Sequence, residues 1–95
     1  VTAYVVMIRE KMRDEDAFKD YAAGARAARG DHPITPLAFY GPHQVLEGAA
    51  AEGVVILSFP DMDAARAWYD SPAYAEARAH RYRAADYRVL LVDGV

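Results

Sequence analysis

Proton transfer near neutrality is most readily done by histidine, whose side chain titrates near pH 6.5. The sequence has three, His32, His43 and His80. His32 lies in the segment Gly30-Asp31-His32-Pro33 and reads as a solvated turn residue. His43 follows Tyr40-Gly41-Pro42, where a bulged strand would aim it into a pocket; an exposed edge residue is the plainer reading. His80 stands next to Arg81 and close to Arg78, positive neighbours that disfavour its protonation, so it is either a neutral base or a surface helix residue. Arg81 itself is a clamp for a carboxylate, enolate or carbonyl oxygen, or else half of a salt bridge fastening helix to sheet. His43, His80 and Arg81 are therefore the candidate catalytic groups.

Aromatic residues supply the second set. Tyr4, Phe39 and Tyr40 fall on strands whose free face is expected to line a cavity, and a buried tyrosine hydroxyl needs a partner that substrate oxygen or a backbone carbonyl would provide. Trp68, Tyr69 and Tyr74 read first as packing and dimer-contact residues; Trp68 also joins Tyr4, Phe39 and Tyr40 as a candidate substrate-binding residue. The basic cluster Arg78, His80, Arg81, Arg83 and Arg88 reads as a solvated face. No His-x-x-x-His, Glu-x-x-His or matched carboxylate cluster suggests a metal, and the carboxylates at 14–16 and at 61 and 63 are helix starts. No phosphate cradle or Gly-x-Ser-x-Gly elbow occurs, so no cofactor is expected.

Composition narrows the partners. The formal charge of −3 argues against nucleic acid, which is bound through concentrated Lys and Arg. The absence of cysteine removes disulfides and thiolate chemistry. No apolar run approaches the roughly 20 residues of a membrane helix, and the apolar start lacks a basic leader and a cleavage site. Cytoplasmic residence is the default expectation. Residues 1–95 contain no linker-like stretch and read as one domain. Hydrophobic residues make up 54% of the chain, but many are alanines that bury little area each, so the core of one copy is thin.

The elements that must position these groups follow from pattern. Residues 2–8 read as a strand apolar on both faces. Asp14 caps a helix carrying Phe18, Tyr21, Ala22, Ala25 and Ala28 on one side, with Gly30 as its stop. Residues 37–40 and 44–46 read as pieces of a bent or bulged edge strand, and 54–59 as a second buried strand. Asp61 caps a helix through Met62, Ala65, Trp68 and Tyr69; Ser71-Pro72 restarts helix, and 87–92 is the last strand. The order βαββααβ predicts an α+β, ferredoxin-like, four-stranded antiparallel sheet with helices on one face. Nothing remains to cover the other face, so an identical subunit is expected there.

The run Glu47-Gly48, Val54-Val55-Ile56-Leu57-Ser58-Phe59-Pro60, Trp68-Tyr69-Asp70-Ser71-Pro72-Ala73-Tyr74, then Arg81 and residues 89–94, resembles a widespread bacterial family of dimeric α+β barrel proteins whose domain has no assigned function. The most specific piece is Trp-Tyr-x-Ser-Pro-x-Tyr at 68–74. The resemblance implies a ferredoxin-like protomer whose sheet faces that of a second copy, in a superfamily that includes cofactor-independent oxygenases, isomerases, cyclases and haem-degrading enzymes. The chain departs from the pattern at Thr35 and Phe39, where the family carries two arginines, and at His80, where relatives commonly have an aliphatic residue. These readings together predict a homodimeric, cofactor-independent enzyme performing acid/base cyclisation, isomerisation or dehydration on an apolar, oxygenated small molecule. The alternatives are a non-catalytic ligand-binding or accessory protein, and a cofactor-free monooxygenase.

Overall fold

A computed structural model describes all 95 residues. The elements are β1 (Ala3–Met12), α1 (Glu15–Ala28), β2 (Thr35–Phe39), β3 (Gly53–Phe59), α2 (Met62–Tyr69), α3 (Pro72–Ala84) and β4 (Ala85–Asp93). The strands form one antiparallel sheet in the order β2-β3-β1-β4, with the two apolar strands central and the proline-bearing strand at an edge. This is the expected ferredoxin-like α+β fold. The segment 44–46 is not a strand; it belongs to an exposed connection between β2 and β3.

Local chemistry sets each helix start. The Asp14 carboxylate accepts from the backbone N–H groups of Asp16 and Ala17, and that of Asp61 accepts from Ala64 N at 2.7 Å. The Ser71 hydroxyl accepts from Tyr74 N while donating to Trp68 O, so one side chain both ends α2 and starts α3, with Pro72 in the first turn. Gly30 turns the chain out of α1 at φ 46°, a conformation open to glycine.

Alternation divides the sheet into two faces. Val5, Met7, Val55, Leu57 and Phe59 are buried under the helices, where they join Tyr21, Trp68, Tyr74 and Ala77 in the main core. The Trp68 ring lies 4.2 Å from that of Tyr74 and 5.4 Å from that of Phe59, so the Trp-Tyr-x-Ser-Pro-x-Tyr segment serves as an aromatic clamp between α2, α3 and the sheet. The opposite face, Tyr4, Val6, Ile8, Val54, Ile56, Leu90 and Val92, carries no helix, and Leu90 and Val92 are 45% and 50% exposed.

The edge strand departs from simple alternation. Pairing of β2 with β3 shifts between Pro36 and Ala38, making Leu37 the extra residue of a bulge. Thr35 and Ala38 pair with Ser58 and Ile56 on the open face, whereas Pro36 and Phe39 pair with Leu57 and Val55 on the helix side. The bulge thus turns Phe39 toward the helices.

Helices α1 and α3 approach closely through small residues. A Cβ on Gly24 would meet the Cβ of Ala77 at 3.0 Å and its Cα at 3.3 Å. Gly24→Val is expected to destabilise the fold by about 1–3 kcal/mol through overpacking, read as a lower urea midpoint at unchanged slope.

Candidate functional site

A cavity of about 390 Å³ opens between α1 and the helix side of the sheet. It lies within the single chain, not under the open face of the sheet as the strand pattern had suggested. Twelve of its fifteen lining residues are hydrophobic, so it favours a largely apolar occupant. Helix α1 contributes Phe18, Tyr21, Ala22 and Ala25 at helical spacing, the sheet contributes Met7, Val55 and Leu57, and Trp68 and Tyr74 close it from the far side.

Two of the four candidate binding residues reach it by an unexpected route. Phe39 arrives through the bulge at Leu37 and lines the rim, 68% exposed. Tyr40 follows with φ 56°, the left-handed region that a bulky residue rarely adopts, and its N–H still pairs with Val54 O at 2.9 Å. Its ring lies on Gly53, where a Cβ would sit 2.6 Å from Tyr40 Cδ1, so only glycine admits it. Trp68 also lines the cavity, whereas Tyr4 lies on the open face and does not.

The polar groups converge at the inner end. The Tyr21 and Tyr74 hydroxyls hydrogen-bond at 2.8 Å, and those of Tyr40 and Tyr87 at 2.6 Å. Each pair spends one O–H proton on its own bond, leaving the second hydroxyl with a proton and no protein acceptor. Burial pushes the Tyr21 and Tyr40 hydroxyls well above the ordinary tyrosine range, with further increases from their dyad partners; Arg81 opposes the shift at Tyr21 and Arg9 opposes it at Tyr40. Burial also raises Tyr74 and Tyr87, against the hydrogen bond within each pair and the nearby arginines. All four are neutral donors at physiological pH.

Behind the dyads sits Arg81, the one charged side chain that is buried, at 3% exposure. Its guanidinium carbon lies 5.9 Å from the Tyr21 ring centroid and 5.3 Å from that of Tyr87, on the faces of the rings. The salt bridge that would explain it structurally is absent: the ion pairs of the molecule are Arg9–Glu52, Arg13–Asp86 and Arg66–Asp70, and Arg81 Nε and Nη1 have no partner. A second guanidinium, Arg9, lies 5.2 Å from the Phe18 ring and 5.1 Å from that of Tyr40, with Glu52 3.5 Å from its Nε. Tyr21, Tyr40 and Tyr74 line this end, while Tyr87, Arg81 and Arg9 stand behind them outside the lining, so hydrogen-bond donors and positive charge back a wall that contains no carboxylate or imidazole.

Neither candidate histidine reaches this space. His43 is exposed and its Nε2 bonds Ala51 O at 2.8 Å, bridging the β2–β3 connection. His80 is on α3 with its Nδ1 accepting from Arg83 Nη2 at 2.7 Å, away from the cavity lining. Sequence reasoning passed over Tyr21, Tyr74 and Tyr87 as site residues. The available signal was the spacing of Tyr74, Ala77, Arg81 and Ala84, which places tyrosine and arginine on the same buried stripe of α3.

Residues 2–95 match a protein-family profile described as domain of unknown function DUF1330. The chain belongs to that family. Among solved structures it is similar to a protein of unknown function from Rhodopseudomonas palustris, with TM-score 0.75 and 17% identity over 99% of this chain and 82% of that one. A dimeric ferredoxin-like protein of unknown function from Jannaschia gives TM-score 0.65 and 15% identity over 99% and 100% of the two chains. SnoaB, a cofactor-independent oxygenase from Streptomyces nogalater, gives TM-score 0.60 and 16% identity over 99% and 92%. At these identities the likeness shows the ferredoxin-like fold. No curated protein sequence matches the chain significantly.

The tyrosine shifts have a direct consequence for pH. A hydroxyl whose pKa is raised in the folded state contributes stability that is intact below the unfolded value near 10 and is lost as pH rises through the folded value. Stability is expected to fall above about pH 10. In a titration followed by phenolate absorbance, Tyr21, Tyr40, Tyr74 and Tyr87 of the seven tyrosines should ionise late, together with loss of near-ultraviolet circular dichroism.

Proposed function

We propose that this DUF1330 chain is a cofactor-independent enzyme for a largely apolar small molecule carrying an enol or phenol, whose oxygen it stabilises as an anion. The observation that carries this reading is the pair of tyrosine dyads at the inner end of the cavity, one buried and one half-buried, each with one O–H lacking a protein acceptor, backed from behind the lining by Arg81, whose Nε and Nη1 have no partner. Preorganised donors and charge in a water-poor site act most strongly on charge that develops during reaction. An enolate is shared by isomerisation, cyclisation and dehydration alike, so the same pocket serves any of them. With no base among the lining residues, the enol or phenol gives its proton to water as it enters and is held as the anion, and the histidines have no part in the step. We assign oxyanion stabilisation to Tyr21, Tyr40, Tyr74, Tyr87 and Arg81, and apolar positioning to Trp68 and Phe39.

Cofactor-free oxygenation is a second reading, supported by the fold shared with SnoaB and by the electron-rich character of a stabilised enolate or phenolate. A molecule held without conversion is the remaining alternative. Residues 1–95 would work as one domain in the cytoplasm, and no helix is long and apolar enough to cross a membrane.

Self-pairing completes the proposal. The open apolar face suits the same face of a second copy, and the Jannaschia neighbour is described as dimeric. Replacing both Leu90 and Val92 by lysine is expected to convert a dimer to a monomer in sedimentation velocity; an unchanged sedimentation coefficient would place the interface elsewhere.

The site reading is tested with 2-hydroxyanthraquinone, whose phenolate absorbs to the red of its phenol. Trp68, the sole tryptophan, lines the cavity and should be quenched as the dye enters. The dye's pKa is expected to drop by about 1–2 units on binding, and Arg81→Leu should abolish most of that drop. A dye that quenches Trp68 yet titrates at or above its free value would sink the oxyanion reading. Oxygen uptake beyond a protein-free control separates oxygenation from simple holding.

A further inference from the structure

The cavity has a second polar end, and its chemistry differs from the first. Besides the hydrophobic residues and Pro36, its lining contains only Arg26 and Arg29, on the last turn and C-cap of α1. Cations at a helix C-terminus complement the helix dipole, which accounts for their residue type but not for their aim at the cavity. Neither forms an ion pair with any carboxylate. Arg29 Nη2 donates to Ile34 O at 2.7 Å, which fixes its guanidinium at the rim and leaves its other N–H groups without a protein acceptor; the Arg26 side chain makes no hydrogen bond.

Helix α1 thus spans the cavity lengthwise. Tyr21 marks the inner end and Arg29 the outer, eight residues apart, which corresponds to about 12 Å along the axis. The face between them is made of Ala22 and Ala25, small residues that leave room for a flat skeleton against the sheet. Two guanidiniums three residues apart stand on neighbouring positions of one helix face, so both can address one planar anion.

Resting on the cavity reading above, we infer that the ligand is a bicyclic or tricyclic aryl or enolic carboxylic acid, its ionisable ring oxygen at the tyrosine dyads and its carboxylate between Arg26 and Arg29. A neutral molecule of the same skeleton would leave the two mouth guanidiniums in water and gain nothing from them. Specificity therefore lies in the mouth, while chemistry lies at the inner end.

The test is calorimetric titration of the intact protein with 6-hydroxy-2-naphthoic acid and with its methyl ester, in the wild type and in Arg26→Gln/Arg29→Gln. The acid is expected to bind the wild type at least about tenfold more tightly than the ester, since two charge-assisted contacts are at stake. In the double variant that preference should collapse while ester affinity stays the same, which also shows that the cavity is still folded. Equal affinity of acid and ester for the wild type, or a preference that survives in the double variant, overturns the carboxylate inference and leaves the cavity reading intact. Absence of binding by both probes overturns the cavity reading, and this inference with it.

Discussion

A guanidinium held out of water with no counter-ion is the constraint around which this small fold is arranged. Burying a charge without a partner costs several kcal/mol even after relaxation, and no carboxylate offsets that cost at Arg81. What surrounds it are the faces of Tyr21 and Tyr87, whose ring electrons attract a cation without needing to be charged themselves. The tyrosines must then be fixed. Tyr74 is fixed by the Ser71 cap and the Trp68 ring, and Tyr21 by its bond to Tyr74 across helices that meet at Gly24 and Ala77. Removing any of these loosens the surroundings of the charge, so packing residues remote from the cavity still bear on its electrostatics.

The edge strand solves a separate geometric problem. Regular alternation would have sent Phe39 to the open face and left the cavity without a rim on that side. The bulge at Leu37 inverts the parity, the left-handed backbone at Tyr40 turns the next ring inward, and Gly53 leaves the space that ring needs. The strained conformation at Tyr40 is sustained by the bond to Tyr87, the pairing of its N–H with Val54 and the Arg9 guanidinium beside its ring. Supported from three directions, the left-handed backbone at Tyr40 gives the cavity a fixed aromatic wall that a plain edge strand would lack.

Strand parity also set how far the sequence could be read. Helix caps at Asp14, Asp61 and Ser71 depend on near neighbours, and the order of central and edge strands depends on composition, so both were legible. The irregular character of the edge strand was legible too, from its prolines. The position of the bulge was not, because an extra residue is defined by the partner strand, and with it went the side of the sheet to which Phe39 belongs. The dyads were hidden for a similar reason: Tyr21 and Tyr74 are 53 residues apart, and Tyr40 and Tyr87 are 47 apart. Histidine drew attention by its intrinsic acidity, whereas tyrosine and arginine acquire their meaning here only through burial.

That exchange of histidine for tyrosine and arginine restricts what the pocket can do. A hydroxyl whose pKa is driven up by burial cannot take a proton at physiological pH; it can only donate a hydrogen bond. Under the proposed function the site would act by binding the anion of its ligand better than the neutral form, and each unit by which it lowered the ligand's pKa would correspond to about 1.4 kcal/mol of such preference. Stabilisation of that size suffices to ionise an enol or a phenol that is already moderately acidic. A simple ketone is far too weak an acid for it. On the proposed function, the absence of a base from the lining would thus be a selection rule, admitting molecules whose own conjugation supplies most of the acidity and leaving the protein to hold the charge once it forms.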